Sequence, residues 1–257
     1  MEFGCCGAVE QSEAARVAGF DYVEPTVLSL QAADRAAEVQ SILSDYQTSA
    51  LPVKAFNVFL PKELKVVGPD VDWTAVITYV TEALRRVQAV GADRVVFGSG
   101  ASRNAPAGFD RREIDAQLVR FLQIAGDAAE PLGITIVIEP LNRQESNTIN
   151  SVAEGVALAQ AADHPAVRVL ADLYHMQLEE EPVTSLTQYG RWLHHVHVAD
   201  TGRFAPGSGD YPYRDFFSAL HEIDYSGLIS VECQWRNFEE EAPQAVAYLQ
   251  QMWLETV

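Results

Sequence analysis

The sequence predicts an α/β protein whose strands close into a single (β/α)8 barrel, one domain over residues 1–257. Two observations carry that prediction. Eight short apolar, β-branched runs recur along the chain, separated by stretches whose apolar residues fall at helical spacing. Dividing 257 residues by eight gives about 32 per unit, the size of one strand, one helix and their loops. Strict alternation implies a parallel sheet, and a helix after each of eight strands implies closure.

The runs are 3–9 (FGCCGAV), 21–27 (DYVEPTV), 53–60 (VKAFNVFL), 94–100 (RVVFGSG), 134–141 (ITIVIEPL), 167–173 (VRVLADL), 194–200 (HHVHVAD) and 228–233 (LISVEC). Several are nearly continuous in apolar residues, as strands covered on both faces are. Between them, 71–90 aligns Val76, Tyr79, Val80, Ala83, Leu84 and Val87, and Gly91 follows as a stop. Residues 110–132 open at Asp110, carry Ile114, Leu118, Phe121, Leu122 and Ala125, and stop at Gly133. Helices are also expected over 11–18, 31–47, 151–162, 183–191, 213–223 and 239–254. Asp34, Ser151 and Glu154 sit near starts, where polar caps and acids are favoured. The competing architecture, an open doubly wound sheet, usually carries a glycine-rich phosphate loop after its first strand. GCCGAVE (4–10) lacks that pattern, and FGSGASRN (97–104), after the fourth strand, reads as a tight turn.

Composition narrows the function. With 48% hydrophobic and 21% charged residues the chain is neither collagen-like nor low-complexity. No run approaches the ~20 apolar residues of a membrane span. The first residues show no basic and apolar leader pattern, so a cytoplasmic protein is expected. Eighteen Lys and Arg against 36 Asp and Glu give a net charge of −18, which disfavours a nucleic-acid partner. Cys5, Cys6 and Cys233 fit no disulfide framework or zinc knuckle, and read as small buried hydrophobes.

In a barrel the active site is built at the C-terminal ends of the strands. Strand five ends Ile138-Glu139-Pro140, strand six Ala171-Asp172-Leu173, strand seven His195-Val196-His197, and strand eight Val231-Glu232-Cys233. A carboxylate in a barrel mouth is costly unless paired or coordinated. Each acid alone also fits a helix cap or a surface position. Four at matching positions fit one shared partner better. Glu139, Asp172, His197 and Glu232 offer three carboxylates and an imidazole, a set that suits one divalent ion such as Mn2+, Mg2+ or Co2+, Mn2+ foremost. His195 shares a face with His197 and is an alternative ligand or the group that orients it; His194 points away.

The segments IEPLNRQE (138–145), ADLYH (171–175), HVHVADTGR (195–203) and SVEC (230–233) resemble the sugar isomerase/epimerase superfamily with a xylose isomerase-like TIM barrel. Within it the likeness is to D-tagatose 3-epimerase, related ketose 3-epimerases and hydroxypyruvate isomerase. It covers roughly 134–235. The resemblance implies that Glu139, Asp172, His197 and Glu232 hold the metal and that Glu139 and Glu232 are the acid–base pair. It further implies that Glu145, His175 and Arg203 bind substrate, and it allows for a homo-oligomer.

Such a site suits proton movement beside a carbonyl. A metal chelating the carbonyl and neighbouring hydroxyl of a ketose acidifies the adjacent C–H and stabilises an enediolate. One carboxylate removes the proton. Its return from the other face gives epimerisation, and its return to a different carbon gives isomerisation. The expected partner is thus a small sugar or keto-acid, taken as unphosphorylated because no phosphate loop is recognisable. A lyase or dehydratase on the same site is the alternative. An endonuclease-type phosphodiesterase is remote, since it needs more histidines than the six present and a basic face. A non-catalytic sugar-binding role leaves the carboxylate pair unexplained. Phe59, Phe97 and Trp235 read first as core packing, with walls for a sugar face the less favoured role, and Glu24 is a further candidate pocket acid.

Overall fold

The computed structural model describes residues 1–30 and 36–256. In chain order it runs β1 (Glu2–Cys6), α1 (Ser12–Ala18), β2 (Tyr22–Glu24), α2 (Val27–Leu30), α3 (Ala36–Gln47), β3 (Ala55–Phe56), α4 (Trp73–Val90), β4 (Arg94–Phe97), α5 (Gly100–Arg103) and α6 (Arg111–Ala129). It continues β5 (Thr135–Ile138), α7 (Val152–Ala162), β6 (Val167–Asp172), α8 (Leu173–Leu178), β7 (Leu193–Val198), α9 (Tyr213–Glu222), β8 (Leu228–Val231) and α10 (Phe238–Glu255). Neighbouring strands pair in parallel, in the order β2-β1-β8-β7-β6-β5-β4-β3. Single bridges, Val23 to Val53 and Thr26 to Asn57, join β2 to the β3 segment and nearly close the ring.

Caps set the long helices. The Asp72 carboxylate accepts from the Ala75 amide, and Gly91 ends α4 in the left-handed region at φ 98°. Asp110 accepts from the amides of Arg112 and Glu113. Ser151 accepts from Glu154, whose own carboxylate accepts from the Asn150 amide.

Strand alternation sorts the core into two layers. Val95, Phe97, Ile136, Ile138, Val169 and Ala171 belong to the large cluster between sheet and helices. Val96, Val137 and Leu170 form a separate buried cluster on the opposite faces of β4, β5 and β6, inside the barrel. Burying one such side chain contributes about 1.5–3 kcal/mol. Among the described residues no helix is long and apolar enough to cross a membrane.

Several expectations change. Regular pairing of the third strand shrinks to Ala55–Phe56, because Val58 turns the chain at φ 47°. The expected helix over 183–191 is instead two 3-10 segments, Val183–Gln188 and Gly190–Trp192. The helix expected over 31–47 is described from Ala36, and Asp34 lies outside the described residues. Phe59 and Phe97 take the core role that the sequence favoured over sugar walls. Both are fully buried against Phe121 of α6, with ring centroids 6.1 and 4.4 Å away. Trp235 packs edge-on to Phe20 and Phe238.

Candidate active site

The strand registers bring the distant acids together. Asp172 pairs with His197, and His197 with Ser230, so Glu232 follows two residues on along the same face of the chain. Glu139 leaves the end of β5 two residues beyond inward-facing Val137. Gly98, at the end of β4, makes room for it: a Cβ there would stand 2.0 Å from Glu139 Oε2. Asp172 caps α8, accepting at Oδ1 from the amides of Tyr174 (2.7 Å) and His175 (3.2 Å), so Oδ2 is left for the site.

His197 is the hub. Its Nδ1 is 3.2 Å from Glu139 Oε1 and 3.7 Å from Glu232 Oε2, and its Nε2 is 2.9 Å from Glu24 Oε1. Glu24 is fully buried and also receives His195 Nε2 at 2.8 Å and the Ser230 hydroxyl, which in turn accepts from Tyr22 at 2.7 Å. A carboxylate only accepts, so both imidazoles present N–H at Nε2. The second nitrogen of His197 is thereby aimed at Glu139 and Glu232.

The charges are unevenly held. Burial alone would raise Glu24, but His197 and His195 outweigh it and keep this carboxyl below the usual range. Burial, then the charge of Glu232, pushes Glu139 up. Burial also opposes the ionised form of Glu232, but His197 and Arg203 bring it down to about 2. For His197, burial favours the neutral ring, yet Glu24, Cys6 and Glu232 hold the proton well above the ordinary histidine range.

The residues expected to touch substrate form the rim. His175 is buried, and its Nδ1 lies 3.2 Å from the Asn142 main-chain N–H and 2.8 Å from the Asn142 side-chain amide. A main-chain N–H can only donate, so Nδ1 accepts and Nε2 carries the proton. That Nε2 is buried and has no hydrogen-bond partner among the described residues, and it lies 3.9 Å from Asp172 Oδ2. Asn142 also donates to Glu145 at 2.9 Å. Arg203 reaches Glu145 at 3.0 Å and Glu232 at 2.7 Å, with its guanidinium 5.0 Å from the Tyr174 ring centroid.

Three groups of ligand-type side chains converge here: Glu139, Asp172, His175 and Glu232; Cys6, His197 and Glu232; and Glu24, His195 and His197. In each group the donor atoms lie within 4.8 Å of one another. The first pairs three carboxylates with His175 rather than His197. Its tautomer argues against His175 as a ligand, because the nitrogen facing the carboxylates bears a proton, whereas Nδ1 of His197 can give its proton up. Three carboxylates and one imidazole, with Arg203 as the cation at the rim, fit a hard divalent cation.

Glu24 emerges as central, although strand-end position alone ranked it no higher than any other acid. Asn57 was not anticipated; it donates to Glu232 Oε1 at 3.2 Å. Cys6 is only half-buried, with its sulfur beside His197 and Glu232, unlike fully buried Cys5. Buried Arg103 donates to the carbonyls of Phe97 (2.9 Å) and Glu139 (2.8 Å), tying the ends of β4 and β5 together.

A family model described as "Xylose isomerase-like TIM barrel" matches residues 12–254. A probable ketose 3-epimerase of Synechocystis sp. is 29% identical over 193 residues, spanning 72% of this chain and 65% of that protein, just under two thirds of its length. An L-ribulose 3-epimerase of Methylomonas sp. is 29% identical over 255 residues, 92% of this chain and 87% of that one. The crystal structure of a D-allulose 3-epimerase from Methylomonas sp. in complex with D-allulose superposes with a TM-score of 0.85 at 25% identity, covering 98% of this chain and 97% of that one.

Proposed function

The chain belongs to the xylose isomerase-like TIM barrel family, and we propose that it is a divalent-metal-dependent epimerase acting at the carbon beside the carbonyl of an unphosphorylated ketose. The observation that carries this reading is the pair of carboxylates, Glu139 and Glu232, both within 4 Å of one nitrogen of His197. The relatives' names point the same way.

Glu139, Asp172, His197 through Nδ1, and Glu232 would hold the ion, with Mn2+ the first candidate. When bound, the ion supplies Lewis-acid polarisation of the substrate carbonyl. Glu139 and Glu232 come from β5 and β8, with β6 and β7 between them, an arrangement that suits attack on opposite faces of a substrate carbon. One removes the proton and the other delivers one to the far face, inverting the carbon. His175 donates from Nε2 to a substrate oxygen, and Asn142 keeps it a donor. Arg203 offsets negative charge on the enediolate and, with Glu145, holds sugar hydroxyls.

The test is incubation of the Mn2+-loaded protein with D-fructose, D-tagatose, D-allulose and L-ribulose in heavy water. The expected result is deuterium at C3 with formation of the C3 epimer. An aldose product replaces this reading with isomerisation, and a dehydrated product replaces it with a lyase. Full activity in both Glu139→Gln and Glu232→Gln refutes the acid–base pair.

A further inference from the structure

At the opposite end of the barrel, where the strands begin, lies a cavity of about 330 Å3 lined by Arg94, Arg191, His194, Asp224 and Ser226. Arg94 opens β4 on the same face as inward-pointing Val96, so its side chain runs beneath the barrel towards the starts of β7 and β8. One terminal nitrogen pairs with Asp93 at 3.1 Å, while its Nε is buried and has no hydrogen-bond partner among the described residues. Beside the cavity, Trp192 carries two guanidinium groups, Arg191 at 5.5 Å and Arg168 at 5.6 Å from its ring centroid. Among the described residues neither arginine takes part in an ion pair. In a chain with twice as many acids as bases, three arginines and a histidine thus meet at one floor.

Three guanidinium groups stand here against two carboxylates, Asp93 paired with Arg94 and Asp224 in the lining. Burial, then Arg94 and Arg168, hold the His194 imidazole below its ordinary value. Asp224 is the one carboxylate in the lining. Guanidinium forks match oxyanions, phosphate above all. The cavity is larger than a bare phosphate, and the carboxylate and hydroxyl of Asp224 and Ser226 suit the hydroxyl groups of an attached sugar. The interior plug of Val96, Val137 and Leu170 separates the floor from the mouth, so a ligand here is not the substrate.

We propose that this floor cavity is a second ligand site that takes a phosphomonoester of small-sugar size, its phosphate on Arg94 and Arg191 and its hydroxyls on Asp224 and Ser226. The site does not depend on the activity proposed for the mouth. Calorimetric titration of the full chain with ribose 5-phosphate, at ionic strength held constant with chloride, tests it against inorganic phosphate. One saturable site is expected, tighter for ribose 5-phosphate than for inorganic phosphate. Exposed Arg191→Ala should weaken it about tenfold or more, and Arg94→Gln likewise. Glu139→Gln, at the other end of the barrel, should bind as the unaltered protein does. No saturable binding overturns the proposal. So does binding unchanged in both arginine variants, binding no tighter for ribose 5-phosphate than for inorganic phosphate, or binding lost in Glu139→Gln, which would put the ligand in the mouth.

Discussion

Replacing Glu24 by Gln keeps the side-chain volume but removes an ionised acceptor that receives three groups: His195 at 2.8 Å, His197 at 2.9 Å and the Ser230 hydroxyl. The amide has one oxygen and an NH2. Its oxygen can satisfy one imidazole N–H, but its NH2 then faces the other. The second imidazole must turn its lone pair towards the NH2, and if that ring is His197 the proton moves to Nδ1, the nitrogen aimed at Glu139 and Glu232. Partners that orient a metal-binding imidazole are typically worth 10–100-fold in metal affinity, which is about 1.4–2.8 kcal/mol. Losing charge-assisted hydrogen bonds at a fully buried site costs a similar amount of stability, about 1.5–3 kcal/mol. The expected variant is folded at 25 °C, binds Mn2+ 10–100-fold more weakly by electron paramagnetic resonance titration, and regains most of its turnover at saturating Mn2+. Unchanged Mn2+ affinity in a folded Glu24→Gln protein would refute the orienting role. Turnover lost even at saturating metal would mean that Glu24 acts on the substrate instead.

Because the surrounding acids hold His197 protonated, cation uptake must displace that proton, and Mn2+ affinity is expected to rise as pH rises from 6 to 8; a flat profile counts against His197 as ligand. Gly98→Ala drives a methyl group into the Glu139 carboxylate, so turnover should fall at least tenfold while circular dichroism stays native. Asn142→Ala removes one of two donors that keep His175 Nδ1 an acceptor, and KM should rise more than kcat falls. Phe121→Ala, in the stack with Phe97 and Phe59, should cost about 3–5 kcal/mol in denaturant unfolding without changing the pH profile of the reaction.

The barrel was legible in the sequence because each strand–helix unit repeats a local pattern, and the strand-end acids were legible because strands point their C-terminal ends at one place. What was left open depends on partners far along the chain. Glu24 meets His195 across 171 residues and Ser230 across 206, so nothing near position 24 raises it above a candidate pocket acid. Asn57 lies just past a two-residue strand whose continuation is broken by the left-handed Val58, a backbone choice that a β-branched residue does not advertise. The core role of Phe97 was legible: with Val96 facing in, alternation sends Phe97 outward under α6. The segment over 183–191 has helical spacing but starts after Pro182 and is interrupted by Gly190, and its hydrogen bonds tighten to the 3-10 pattern.

The hoop of strands is fastened unevenly. Seven of its junctions are ladders, but β2 and the β3 segment are clasped by isolated bridges, carried by the amides of Val23, Asn57 and Val27. Breathing of the barrel therefore concentrates at this clasp, and those three amides should exchange with solvent sooner than the amides of β5 to β8. Glu24 and Asn57 hang from its two sides, one gripping His197 and the other Glu232. Each opening of the weakest junction thus loosens the candidate site at two points, and a bound cation, by pulling His197 and Glu232 together, would cinch the hoop shut.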